Sequence, residues 1–175
     1  GRSSGRETIG RVAAGAIAMK ILEQMGIEVH AYVTQIGDIQ IDPVKMTYEN
    51  IEKSPLRMPD LEASERAEEF LEKQMQEKNS AGGIIECVVK GVPAGVGEPV
   101  FGKLDAALAQ AVMSIGAVKG VEIGDGFQAA AATGKTNNDA FCVNENGAIG
   151  KETNHAGGIL GGMSDGSDIV LRAAF

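Results

Sequence analysis

The sequence predicts a mixed α/β fold, α+β in its details, with helices packed on sheet, and three observations carry that reading. Apolar residues recur at helical spacing in some stretches and alternate or cluster as strands in others, and the two kinds of segment interleave. The length, 175 residues, fits a single domain over 1–175 and suffices to bury a sizeable core. Hydrophobic residues at 43% and charged residues at 23% suit a globular chain rather than a disordered one.

Taken in order, Ser4 and Glu7 fit a capping box at a helix start. Ile9, Val12, Ala13, Ala16, Ile17, Ile21 and Met25 then follow near helical spacing, until Gly26 offers a stop. Residues 28–36 alternate, with Val29, Ala31 and Val33 on one face and His30, Tyr32 and Thr34 on the other, as in a strand with one buried face. Pro43, Pro55 and Pro59 break up 37–60, which reads as loop around one short helix. After Asp60, the stripe Ala63, Ala67, Phe70, Leu71 and Met75 opposes a charged face and predicts a surface helix. Residues 84–92 read as a more fully buried strand and 93–99 as a Gly/Pro turn region. Phe101, Leu104, Leu108, Ala111 and Val112 form a third helical stripe. A strand over 118–123 follows, closed by Gly124-Asp125-Gly126, and then a short alanine-rich helix. Asn146-Gly147 reads as a hairpin turn between weak strands.

The ends carry their own expectations. The chain opens on a helix cap and stops inside the apolar stretch 169–175, which reads as an interior piece of a larger protein. On that reading 169–175 is a strand at an exposed sheet edge, open to non-native pairing. There is also an internal echo: helix, glycine, strand and Ile-Gly-Asp occur over 6–38 and again over 101–125, the triplets 87 residues apart (123 − 36). A duplicated α-β unit and chance similarity of two short triplets both explain it.

Composition narrows the function classes. A net charge of -8 argues against a nucleic-acid partner, although local basic sites can still hold phosphate. No apolar run is long enough to span a bilayer, so no membrane partner is expected. Cys87 and Cys142, with no secretory signal, suit a reducing cytoplasm.

Two segments are candidate sites. Arg2-Ser3-Ser4 opens the first helix, where free N–H groups and the positive dipole end attract an anion. Arg2 and Arg6 add guanidinium forks suited to phosphate or carboxylate. The bland reading is an ordinary cap with solvated arginines. The second segment is the glycine cassette 154–162, whose glycines permit close backbone contact with a ligand. It lacks the frame of a dinucleotide fold, and its bland reading is a tightly packed loop. His155 adjoins the cassette and could touch a ligand, but it stands beside no nucleophile in a recognisable motif, and His30, on a strand face, reads as a structural or surface residue. The cysteines and histidines have no metal-site spacing, so no metal is expected. The glutamate-rich stretch 62–77 is most simply a solvated face.

Four motifs in order resemble one family. Gly1-Arg2-Ser3-Ser4-Gly5-Arg6-Glu7-Thr8 runs into Arg11-Val12-Ala13-Ala14-Gly15-Ala16-Ile17-Ala18. Gly91-Val92-Pro93-Ala94-Gly95-Val96-Gly97-Glu98-Pro99-Val100-Phe101 is the second, and Ala117-Val118-Lys119-Gly120-Val121-Glu122-Ile123-Gly124-Asp125-Gly126 the third. The cassette from Asn154 to Gly162 is the fourth. Together they look like the middle of a chorismate synthase. Gly5 stands where many members carry alanine, and Met19 where lysine is frequent.

The resemblance implies a β-α-β sandwich with internal pseudo-symmetry, assembled as a homotetramer in the cytoplasm. It implies a lyase of the shikimate pathway that converts 5-enolpyruvylshikimate 3-phosphate to chorismate by 1,4-anti elimination, with reduced FMN as cofactor. By correspondence of motifs, Arg2, Ser3, Ser4, Gly116, Ala117 and Gly161 would bind FMN. Arg6 is inferred to contact anionic substrate. The family's catalytic histidines and aspartate belong to flanking segments, so no catalytic residue is expected here and the piece alone should not turn over. Two other readings of the piece itself are a non-catalytic FMN- or phosphoester-binding module and a structural oligomerisation fragment.

Overall fold

The computed structural model describes residues 1, 3–144 and 147–175; Arg2 and Asn146 therefore lie outside the described residues. A 3-10 turn at Gly5–Glu7 leads into α1 (Thr8–Gln24), and β1 (Glu28–Ile36) turns at Gly37 into β2 (Ile39–Gln40). A short α2 (Tyr48–Ile51) precedes α3 (Leu61–Gln76) and β3 (Gly83–Lys90). Then come α4 (Leu104–Met113), β4 (Gly120–Ile123), a 3-10 turn at Gly126–Ala131 and α5 (Gly134–Asn137). The hairpins β5 (Phe141–Val143) with β6 (Ile149–Lys151), and β7 (Ile159–Leu160) with β8 (Met163–Ser164), lead to β9 (Ile169–Ala174).

Five strands form one antiparallel sheet in the order β2-β1-β3-β9-β4. β9 is thus an interior strand, and the exposed edge expected for 169–175 is corrected. β3 covers one side from Ile84 opposite Ala174, and β4 covers the other from Gly120 opposite the same residue. Ile169, Leu171 and Ala173 are buried on one face of β9.

β1 also buries a different face from the one its aliphatic residues suggest. Tyr32 is 2% exposed and packs with Val88 and Val170 beneath Ile41, Met46, Tyr48 and Ile51, whereas Ala31 is exposed. The segment 37–60 closes over the Tyr32 face, and the phenol finds its partner in Glu86 Oε1 at 2.6 Å. Burial and that carboxylate push the Tyr32 hydroxyl pKa well up. The network continues through Arg172, which reaches Glu86 at 3.5 Å, Glu122 at 3.2 Å and the Gly124 carbonyl at 2.6 Å.

Local sequence explains the helix ends. α1 stops in a Schellman motif, with Ile27 N–H donating to Leu22 O, Gly26 N–H to Glu23 O, and Gly26 at φ 76. α3 starts on Asp60, whose Oδ1 accepts from Glu62 N and Ala63 N, and it buries Ala63 and Ala67 against Met58. Phe101 stands outside α4 and is 97% exposed.

α1 lies along β1 and α4 along β4, and the two Ile-Gly-Asp triplets end those strands alike, with Gly37 at φ 58 and Gly124 at φ 57. Neither helix contains a buried residue, and Ile9, Val12, Ile17 and Ile21 of α1 are all exposed. The expected sandwich therefore appears here as one sheet with its helical layer; the described residues form no second large sheet over the helices.

Candidate functional site

The start of α1 and the end of α4 meet at a cleft of about 370 Å³, at the lower end of the range for small-molecule sites. Ser3, Ser4, Gly5, Glu7 and Thr8 line one wall, Ser114, Gly116 and Ala117 the other, and Arg11 lies between them. On the α1 side, Ser4 caps the 3-10 turn by accepting from Arg6 N–H at 3.3 Å. Glu7 does not reciprocate as a capping box requires, because Ser4 N–H already donates to Gly1 O at 3.1 Å. Thr8 Oγ1 donates to Gly5 O at 2.6 Å and tightens the entry to the helix.

On the α4 side, Ser114 Oγ donates to Ala111 O at 2.6 Å, and Ala117 follows at φ 72. The left-handed region costs an alanine on the order of 1–2 kcal/mol because Cβ crowds the carbonyl. Lys119 N–H donates to Ala174 O at 2.8 Å, which leads the chain straight into β4 beside β9. Among the described residues, the Ser3 hydroxyl and the N–H groups of Gly116 and Ala117 donate to no acceptor. Unpaired donors on both walls, at the positive end of a 17-residue helix, suit a ligand carrying anionic or carbonyl oxygens.

The other expected site residues fall elsewhere. Arg6 is exposed and does not line the cleft. Gly161 occupies the β7–β8 turn, with Gly161 at φ 62 and Gly162 at φ 86, and Leu104 N–H donates to Gly162 O at 2.8 Å. That places Gly161 by the N-terminal end of α4, whereas Gly116 and Ala117 follow its C-terminal end. Ten helical residues at 1.5 Å each separate the two by about 15 Å. The structure thus brings Ser3, Ser4, Gly116 and Ala117 together, with Gly161 apart.

Much of the cassette is tight packing. A Cβ on Gly157 would meet Gly124 N at 2.3 Å, and one on Gly158 would meet Asp168 O at 2.5 Å, whereas Gly161 has open space. Asp139, which the sequence reading did not single out, organises this loop by accepting from His155 N–H, Ala156 N–H and the Thr153 hydroxyl at 2.7, 2.9 and 2.7 Å. Burial pushes its carboxyl pKa up, but those bonds outweigh burial and hold it below the usual range. His155 Nδ1 pairs with Asp125 Oδ2 at 2.8 Å. Lys151 and Asp165 form a nearly buried ion pair, 4% and 10% exposed. His30 stacks on Tyr48 and contacts Glu28, in keeping with a structural role. Arg11 and Thr8 were also missed; at i and i+3 in the first turns of α1 they lie on neighbouring positions of one helix face.

A second groove, about 360 Å³ between α1 and β1, is lined by Met19, Glu23, Ile27, Glu28, Val29 and His30. Its acidic rim gives an anion no comparable set of donors.

Comparison with known proteins places these features in a family. The family model described as Chorismate synthase matches residues 1–175, and the chain belongs to that family. The chain is 62% identical over 174 residues to the chorismate synthase of Lachnoclostridium phytofermentans, an alignment covering 99% of this chain and 47% of that protein. With the chorismate synthase of Gloeothece citriformis the identity is 50% over 178 residues, covering 100% and 49%. A solved structure described as "Crystal Structure of Chorismate Synthase" superposes with a TM-score of 0.91 at 34% identity, covering 99% of this chain and 56% of that one. The chain spans about half the length of the curated relatives it matches.

Proposed function

We propose that the protein carrying this chain is a chorismate synthase, a carbon–oxygen lyase converting 5-enolpyruvylshikimate 3-phosphate to chorismate and phosphate by 1,4-anti elimination. On this reading it uses reduced FMN and works in the shikimate pathway as a cytoplasmic homotetramer. Family membership supports the reaction, and no helix among the described residues is long and apolar enough to cross a membrane. The observation that carries the cofactor assignment is the cleft, whose unpaired donors come from two family motifs more than a hundred residues apart.

The donor set fits the cofactor's chemistry. The Ser3 and Ser4 hydroxyls and the α1 terminus suit the phosphate, joined by Arg2 of the same stretch. The Gly116 and Ala117 N–H groups suit the polar edge of a flavin ring. Gly161, with open space where a Cβ would stand, is assigned to a more distant part of the cofactor or to the flavin of a neighbouring copy. Arg6, exposed beside the cleft's α1 wall, is assigned to the anionic groups of the substrate, whose charge a guanidinium offsets. Reduced FMN, when bound, supplies electron density to the allylic system as the carbon–oxygen bond breaks, with no net redox change. This chain's own residues bind, orient and neutralise charge; none is assigned a proton transfer.

The test is an anaerobic assay of the full-length protein with reduced FMN and 5-enolpyruvylshikimate 3-phosphate. Equal amounts of chorismate and phosphate, at roughly 1 s⁻¹ or faster, are expected. Saturable flavin binding without chorismate would favour a non-catalytic binding module instead.

A further inference from the structure

We propose that Arg11 is a positioning residue of the flavin cleft, fixing the α4 exit turn opposite the α1 entry turn. The inference rests on the cleft being the flavin site, as argued above. Arg11 Nη2 donates to Ser114 O at 2.8 Å and to Ser114 Oγ at 3.1 Å, a contact across 103 residues of sequence. Ser114 O lies just past the last turn of α4, where carbonyls lack helical partners and a cation is favoured by the dipole. Ser114 Oγ donates its own hydrogen bond to Ala111 O, so its lone pairs remain for the guanidinium.

Among the described residues, no other hydrogen bond joins the α1 entry turn to the α4 exit turn. Neither α1 nor α4 contains a buried residue; the buried Val118 fixes the far side of the exit turn to the sheet but does not reach α1's entry turn by any hydrogen bond. Gly116 and Ala117, two and three residues beyond Ser114, line the cleft with N–H groups that have no partner among the described residues, and the left-handed alanine must be held in place. Thr8 and Arg11, at i and i+3, carry the turn geometry of α1 directly to that contact. Removing the guanidinium frees the 114–117 turn to relax, and the donors on the two walls lose their fixed separation.

The experiment titrates oxidised FMN into the full-length protein and into its R11M, R11Q, R11K and S114A variants, following flavin fluorescence and the bound-flavin absorption spectrum. Urea midpoints of the flavin-free proteins check folding, and substrate KM is measured at saturating flavin. Loss of a charged hydrogen bond supports a weakening of FMN affinity of about tenfold or more for R11M and R11Q. The bound-flavin spectrum shifts and substrate KM stays within about twofold. R11K, which retains one donor, falls between these and the wild type; S114A stays within about threefold because the carbonyl bond survives. If R11M is too unstable to titrate, R11Q and R11K decide. Unchanged affinity and spectrum in the folded Arg11 variants, with only the urea midpoint shifted, overturns the inference while leaving the site assignment standing. Absence of saturable binding by the wild type overturns the site assignment, and the inference with it.

Discussion

Gly124 and Gly161 have nearly the same φ, 57 and 62, yet opposite surroundings. A Cβ on Gly124 would stand 2.2 Å from His155 O, 2.5 Å from Gly157 N and 2.7 Å from Ala156 C, all backbone atoms that cannot rotate away. A Cβ on Gly161 would meet nothing within 4 Å. Gly161→Ala should therefore show conformational strain alone: about 1–2 kcal/mol, less about 0.4–1 kcal/mol from the restricted unfolded chain. Gly124→Ala carries the same strain plus forced separation of the 155–157 loop from the end of β4. Overpacking adds about 1–3 kcal/mol, and the backbone contacts favour the upper part of that range. Urea unfolding of the flavin-free, full-length variants measures the difference directly. Gly124→Ala should be the less stable by about 1–3 kcal/mol, with the m-value unchanged. Equal destabilisation of the two variants would refute the packing account of the cassette.

Two further predictions concern charge. Asp139 titrates below the usual carboxylate range in the folded chain, so it stabilises the fold above the unfolded carboxyl pKa, and that contribution fades as pH falls through the lower folded value. Asp139→Asn should lower stability at pH 7 and flatten the loss of stability below about pH 4, measured by urea midpoints across pH. Lys151 and Asp165 are nearly buried together, so Lys151→Met, which strands the carboxylate, should cost about 3–5 kcal/mol. The pair Lys151→Met with Asp165→Leu should recover part of that loss in a double-mutant cycle, and additive losses would contradict mutual dependence.

Local signals explain which parts of the fold were legible. α1, α3, β1 and β3 stand where periodicity and end residues put them, because Gly26 and Asp60 act through neighbours in sequence. The interior place of β9 was not legible, since β4 reaches it from about 50 residues upstream and edge or interior is a property of the whole sheet. Which face of β1 is buried was not legible, because Tyr32 counts as polar until its hydroxyl has a partner, and Glu86 lies 54 residues away. Ser3, Ser4, Gly116 and Ala117 were marked by motif resemblance, and the structure adds that they share a cleft. Arg11 and Asp139 escaped notice because their roles depend on partners brought near by folding.

The central claim is that the turn at Ser3–Ser4 and the turn at Gly116–Ala117 hold one FMN between them. A crystal structure of the full-length protein with FMN tests it most directly. The account predicts the phosphate within hydrogen-bond distance, 2.5–3.2 Å, of the Ser3 or Ser4 hydroxyl, with a polar atom of the same flavin on the Gly116 or Ala117 N–H. A flavin bound elsewhere, with both turns facing solvent, would contradict it.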